Sequence, residues 1–246
     1  MILTALNDYY QRLAAHQQVP QPGFSAENIS FALVFSAAGE PLQIDDLRIQ
    51  DDKGKFRPRP LYVPVDKRRT SGIHAYVGWD KTAYALGITA GDGKRLADEH
   101  EAFKQRQRNL FADSDDPELR AFLALLEAWQ PPRFHTLPGY HEELLDKNLV
   151  FRLDGQQHFV HEHPPMRTLW NETFTVQDSD SGPCLVTGEH APLGLDHPAI
   201  RNVNGAQSSG ASLISFNAGA YESYGHKGQA NASISKQAIF GYSTAL

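Results

Sequence analysis

The sequence predicts an α+β fold, with mixed short-stranded sheets and hairpins and several packed helices. Three observations predict it. Apolar residues recur at helical spacing near the start, in the middle and at the end of the chain. Two stretches place apolar runs on either side of tight-turn residues, the pattern of β-hairpins. From about Cys184 onward, short apolar runs alternate with Gly-rich loops.

Taken in order, the first element is an amphipathic helix with Leu3, Leu6, Tyr10 and Leu13 on one face, ended by Pro20 and Pro22. Ile29 to Ile49 reads as two strands around an Ala-Gly turn. The stretch KGKFRPRPLYVPVDKRRTSGI, residues 53 to 73, is basic and broken by prolines, which predicts extended chain and loop. Leu96, Phe103 and Leu110 mark a second helix. Asp116 is the expected N-cap of a third, with Pro117 at its first position and Leu119, Phe122, Leu123, Leu126 and Trp129 buried. NLVFRLDGQQHFVHE, residues 148 to 162, predicts a hairpin turning at Asp154-Gly155. Ser233 is the expected cap of a last helix carrying Ile234, Ala238, Tyr242 and Ala245. That helix meets the final residue without a Gly cap, so the sequence is expected to be the front part of a longer protein. A helix docked at a natural end is the alternative.

Composition bounds the function. Hydrophobic residues make up 41% and charged residues 21% of the 246, an ordinary globular balance. The formal charge of −6 argues against whole-surface nucleic-acid binding, although a local basic patch suffices for it. Cys184 is the sole cysteine, which excludes an intrachain disulfide and a multi-cysteine zinc site. Asn7 and Asp8 interrupt the opening apolar residues, and no run of about 18 apolar residues occurs. A cytoplasmic protein without a signal peptide or membrane span is expected.

Two stretches carry recognition chemistry. Lys67, Arg68 and Arg69, followed by Thr70, Ser71 and Gly72, bring together cationic forks, hydroxyls and a free backbone N–H, a combination suited to phosphate. The bland reading is a solvated loop. Residues 202 to 235 are rich in Gly, amides and hydroxyls. Asn204 and Gln207 can bond base edges, Gly205 lets the backbone approach a groove, and Ser208 and Ser209 can hold phosphates. Asn217, Lys227 and Asn231 rank below them, and the bland reading is a turn-rich β segment. Enzyme signatures are weak. His158, His161 and His163 with Glu162 suggest a metal, yet on a strand His158 lies opposite the other two histidines, so no metal site is expected. Asp196-His197 resembles half of an acid–base pair, which by itself is weak evidence. Ser208-Ser209-Gly210 misses the nucleophile elbow because Ala206 replaces its first glycine, and there is no P-loop or dinucleotide fingerprint. No catalytic residue and no cofactor are expected.

Four blocks resemble the large subunit of the type I-C CRISPR surveillance complex, Cascade. They are MILTALNDYYQRL, then VPVDKRRTSGI with DKTAYALG, then CLVTGEHAPLGLDHPAIRNVNGAQSSGASLISFN, and last YESYGHKGQANASISKQAIFGYSTAL. HAYVGW, after Ile73, departs from the more apolar family pattern. The resemblance implies that residues 1 to 246 are the N-terminal domain of such a subunit, ahead of a helical C-terminal region. It implies a non-catalytic protein that recognises the protospacer-adjacent motif in double-stranded DNA and helps start strand separation, while crRNA pairing reads the target. Implied partners are the crRNA-end-binding and backbone subunits, crRNA, target DNA and a recruited helicase-nuclease. Two alternatives stand beside this: a crRNA-handle-binding assembly subunit, and a metal-dependent hydrolase.

Overall fold

A computed structural model describes the chain except residues 17, 68, 70, 71, 176–180, 195, 196, 201, 202, 208, 209 and 217. In chain order the elements are α1 (Ile2–Ala15), β1 (Phe24–Ile29), β2 (Phe31–Phe35), β3 (Pro41–Asp46), β4 (Ile49–Gln50), β5 (Phe56–Arg57), β6 (Arg59–Pro64) and β7 (Trp79–Lys81). They continue as α2 (Thr82–Leu86), α3 (Leu96–Phe111), α4 (Pro117–Ala128), β8 (Asn148–Leu153), α5 (Pro164–Thr175), β9 (Ser181–Pro183), β10 (His190–Pro192) and α6 (Lys236–Thr244). The fold is α+β. Two compact units divide it: Gly23–Val176, and Met1–Pro22 together with Gln177–Leu246.

The larger unit is organised by a four-stranded sheet in the order β3-β2-β8-β7. Every residue of β2 is buried, because its two faces meet different partners. Phe31, Leu33 and Phe35, with Leu149 and Phe151 of β8, face the helical core built on Phe103, Phe111, Phe122 and Leu126. Phe122 sits 4.8 Å from Phe151 and 6.1 Å from Phe35 between ring centroids. Each such fully buried ring contributes about 1.5–3 kcal/mol. Ala32, Trp79 and Val150 point to the other face, where Ile29, Leu61 and Val63 cover them. That cover is the antiparallel ribbon of β1 and β6, so residues 59–64 of the basic stretch lie over this face of the sheet. All three tryptophans are buried and donate to backbone carbonyls, Trp79 to Pro64, Trp129 to Leu86 and Trp170 to Gly23.

The expected hairpin from Ile29 to Ile49 is present as β2 and β3, turning through Gly39 at φ +79°. A Cβ at Gly39 would lie 2.7 Å from the Leu125 nitrogen, so this turn admits only glycine. The helix expected from Leu96 to Leu110 is α3. Asp116 caps α4 as expected, accepting from Glu118 N and Leu119 N at 3.0 Å. Leu125 is buried on α4 where Leu123 was expected; Leu123 is only partly covered.

The hairpin expected over residues 148 to 162 does not form. Both edges of β8 are taken, one by β2 in parallel and the other by β7, leaving no free edge for a returning strand. Gly155 does turn the chain, at φ +80°, but the turn leads into a 3-10 helix at Val160–Glu162.

In the smaller unit α1 packs on α6. Tyr10 meets the edge of Phe240 at 5.7 Å, and Gly241 permits the approach, since a Cβ there would lie 2.6 Å from Asn7 Oδ1. Ser235, not Ser233, caps α6 by accepting from Ala238 N at 3.2 Å. Ile234 therefore precedes the helix and is buried beside Cys184. Among the described residues no helix is long and apolar enough to cross a membrane.

Candidate nucleic-acid interface

The cations of the basic stretch divide into those spent on the fold and those left exposed. Asp51 shapes the β4–β5 hairpin by accepting from the backbone N–H groups of Lys53 and Lys55 and from Arg57 Nε, at 2.9–3.0 Å. The Lys55 N–H and the Arg57 guanidinium hold its carboxyl below the usual carboxylate range. Gly54 makes the turn at φ +76°. This geometry ties down the backbone and leaves the Lys53 and Lys55 side chains in solvent. Arg59, at the start of β6, is also exposed. Lys53, Lys55, Arg59 and Lys67 have no ionic side-chain partner among the described residues.

The loop that follows β6 is clamped at two points. Asp66 binds His74 Nε2 at 2.8 Å and Arg106 Nη2 at 2.7 Å. Burial raises its carboxyl, but Arg106 and His74 outweigh burial and hold it below the usual range. Arg69 is the second clamp. Its guanidinium meets both oxygens of Asp80 at 2.7 and 3.0 Å, donates to the His74 carbonyl, and lies 3.8 Å over Tyr84 and 4.6 Å over Tyr76. Burial pushes the Asp80 carboxyl up, opposed by Arg69 and by the Tyr76 and Lys81 N–H groups. Between the clamps Lys67 is exposed, and Gly72, at φ +74°, has open space around it. Arg68, Thr70 and Ser71 lie outside the described residues. Within the expected phosphate-binding group, then, Arg69 is committed to Asp80 while Lys67 is presented.

The second group belongs to the smaller unit. Ile200 and Ala211 exchange two backbone hydrogen bonds, closing a loop that holds Asn204, Gly205 and Gln207 exposed. Gly205 turns at φ +82° with nothing near its missing Cβ. Lys227 is exposed after the turn closed by Ser223 and His226. Asn231 spends its amide on that turn, accepting from Ser223 N and donating to the His226 and Gly228 carbonyls. Ser208, Ser209 and Asn217 lie outside the described residues. His197 contacts the Tyr242 hydroxyl at 2.6 Å, while its neighbour Asp196 is not among the described residues.

The histidine segment is not a strand, and this changes which residues meet. His158 and His163 stack in parallel, with centroids 5.1 Å apart, against the first turn of α4. His158 Nε2 lies 3.0 Å from Glu118 Oε2, and His163 Nε2 lies 3.0 Å from both oxygens of Asp116. Glu162 instead folds back onto the Phe159 N–H. Nothing local in the sequence announces Asp116 and Glu118 as neighbours of these histidines, since some 40 residues separate them.

His161 goes into the core, stacked on Phe159, with neither ring nitrogen bonded among the described residues. Burial, helped by the charge of Arg167, pulls its pKa down to about 3. Above an unfolded-state pKa of roughly 6.5 both states hold it neutral and its contribution is complete. As pH falls from there toward about 3 the unfolded chain takes up a proton that the folded chain refuses, so stability drops by up to ~1.4 kcal/mol per pH unit. Urea unfolding from pH 7 to pH 4 should show His161→Leu with a shallower acid slope than the parent; parallel slopes would refute this assignment.

Among curated proteins none matches the chain. The family model described as CRISPR-associated protein (Cas_Csd1) matches residues 6–246, nearly the entire sequence, and the chain belongs to that CRISPR-associated family.

Proposed function

We propose that this chain is a non-catalytic DNA-recognition part of a crRNA-guided antiviral complex of the type I-C Cascade kind. It recognises the protospacer-adjacent motif in duplex DNA and helps to start strand separation. The observation that carries this reading is that Lys53, Lys55, Arg59 and Lys67 are exposed and have no ionic partner among the described residues, in a chain of net charge −6. An acidic protein that presents exposed cations on the β4–β5 turn, at the start of β6 and in the loop after it carries local positive charge suited to phosphate. The anchoring of Asp66 by His74 and Arg106 supports the reading further, because the residue beside Lys67 is already held in place and costs little ordering on binding. Base readout is assigned to the second loop, where exposed Asn204 and Gln207 flank Gly205. Pairing of the target to crRNA supplies the rest of the specificity. The partners in this reading are the crRNA-end-binding and backbone subunits, crRNA, target DNA and a recruited helicase-nuclease.

The test is a gel-shift titration of the reconstituted complex against matched targets carrying a library of flanking motifs. Gln207→Ala should narrow the gap between correct and incorrect motifs by about 1–3 kcal/mol, the worth of one good base-edge contact. If motif preference is untouched while assembly fails, Gln207 is an assembly residue and the chain grips the crRNA handle instead.

A further inference from the structure

We propose that Glu118, His158 and His163 form a binding site for one divalent transition-metal ion of the zinc class, with Asp116 orienting His163 toward it. The site lies within the larger unit, where the first turn of α4 meets the residues on either side of the 3-10 helix Val160–Glu162. Three ligand atoms, one from each side chain, lie within 4.8 Å of one another.

The argument begins at Asp116. Its carboxylate already accepts two backbone N–H groups as the α4 cap, and His163 Nε2 approaches both of its oxygens at 3.0 Å. An ionised carboxylate only accepts, so Nε2 is the donor and in a neutral ring Nδ1 carries the lone pair. This is the carboxylate–histidine arrangement that fixes a metal-ligating tautomer. That Nδ1 is buried, makes no hydrogen bond among the described residues, and lies 3.7 Å from Glu118 Oε2. Two electron-pair donors face each other in a closed place, which favours a cation between them.

Glu118 is the independent observation. Its side chain is 6% exposed; Oε2 faces the two histidines, and the other oxygen, Oε1, is buried without a partner among the described residues. A buried carboxylate left half-satisfied is costly unless a cation completes it. The third ligand, His158 Nε2, is 3.0 Å from the same carboxylate, and its ring remains 32% exposed, so an ion has a way in. On binding, the His158 proton moves to Nδ1, on the ring's other side. Metal–ligand bonds of about 2.0–2.2 Å require ligand atoms roughly 3.3 Å apart; Glu118 Oε2 lies 3.0 and 3.7 Å from the two imidazole nitrogens, and the three atoms lie within 4.8 Å of one another, so binding draws them together. Two imidazoles and a carboxylate suit zinc, cobalt or nickel better than magnesium or calcium. Three protein ligands leave one position for water. The ion would cross-link the start of α4 to the start of α5, and this holds whether or not the chain reads DNA.

The experiment uses the purified chain stripped with a chelator. Zn²⁺ is titrated by calorimetry and Co²⁺ by its visible absorption, with Mg²⁺ as control. Expected are one Zn²⁺ per chain at low-micromolar affinity or tighter, tetrahedral Co²⁺ bands displaced by Zn²⁺, no Mg²⁺ binding, and a higher melting temperature with Zn²⁺. His158→Ala, at a partly exposed position, and the isosteric Glu118→Gln should abolish the Co²⁺ bands. Asp116→Asn keeps a good helix cap yet should weaken Zn²⁺ binding about 10–100-fold. Absence of Zn²⁺ and Co²⁺ binding by the parent chain overturns the site. So does binding that is unchanged in His158→Ala and Glu118→Gln, which would place the ion elsewhere.

Discussion

Replacing Asp80 with Asn is expected to destabilise the larger unit by about 3–5 kcal/mol, the cost of leaving a buried charge without its counterion. The Asp80 side chain is 1% exposed and receives four hydrogen bonds, two from Arg69 and one each from the Tyr76 and Lys81 N–H groups. Asn offers one acceptor oxygen and turns an NH₂ group toward a guanidinium that can only donate. Arg69 cannot withdraw easily, because it is held between Tyr84 and Tyr76 and bound to the His74 carbonyl. Thermal unfolding should report a fall of roughly 6–20 °C for a unit of this size. A loss below about 1 kcal/mol would mean that the pair does not anchor the loop. The Arg69→Ala variant sharpens the outcome. An anchoring Arg69 makes its single variant costly and strongly coupled to Asp80→Asn in a double-mutant cycle. A phosphate-contacting Arg69 would instead leave stability intact and weaken DNA binding.

That division of Arg69 from Lys67 illustrates what the sequence could and could not convey. Local signals were legible. The Asp116-Pro117 cap, the Gly39 turn and the opening helix each depend on residues within a few positions of one another, and each is found where the pattern put it. Pairings across long separations were not legible. β1 meets β6 across some 35 residues, and β2 meets β8 across more than 110, so the free edge assumed for a 148–162 hairpin did not exist. The same limit explains the histidines. His158 and His163 look ill-spaced on a strand, yet a 3-10 turn stacks them, and the carboxylates they meet come from a helix whose own pattern speaks only of capping and burial. The triplet at 67–69 read as one electrostatic unit because charge is visible in sequence, whereas the acid that claims one of its members, Asp80, is visible only once the chain folds back.

The largest functional effect should come from the cations that stand exposed without an ionic partner among the described residues. Changing Lys53, Lys55, Arg59 and Lys67 together to Ala in the assembled complex should flatten the salt dependence of DNA binding. Each phosphate contact contributes about 0.9 to the slope of log K against log salt, so four contacts remove roughly 3.6. Because the loss is electrostatic and independent of sequence, targets with correct and incorrect flanking motifs should weaken in parallel, unlike the response to Gln207→Ala. Stability should move little, within about 0.5 kcal/mol per substitution, since none of the four side chains has an ionic partner among the described residues. This separates the variant from Asp80→Asn, which should unfold the anchor while leaving these cations in place. Single variants then apportion the effect: a side chain that touches phosphate lowers the slope by about 0.9, and one that merely stands in solvent leaves it alone. An unchanged slope in a correctly assembled quadruple variant would remove these four side chains from the DNA path and leave the Gly205 loop to carry the contact.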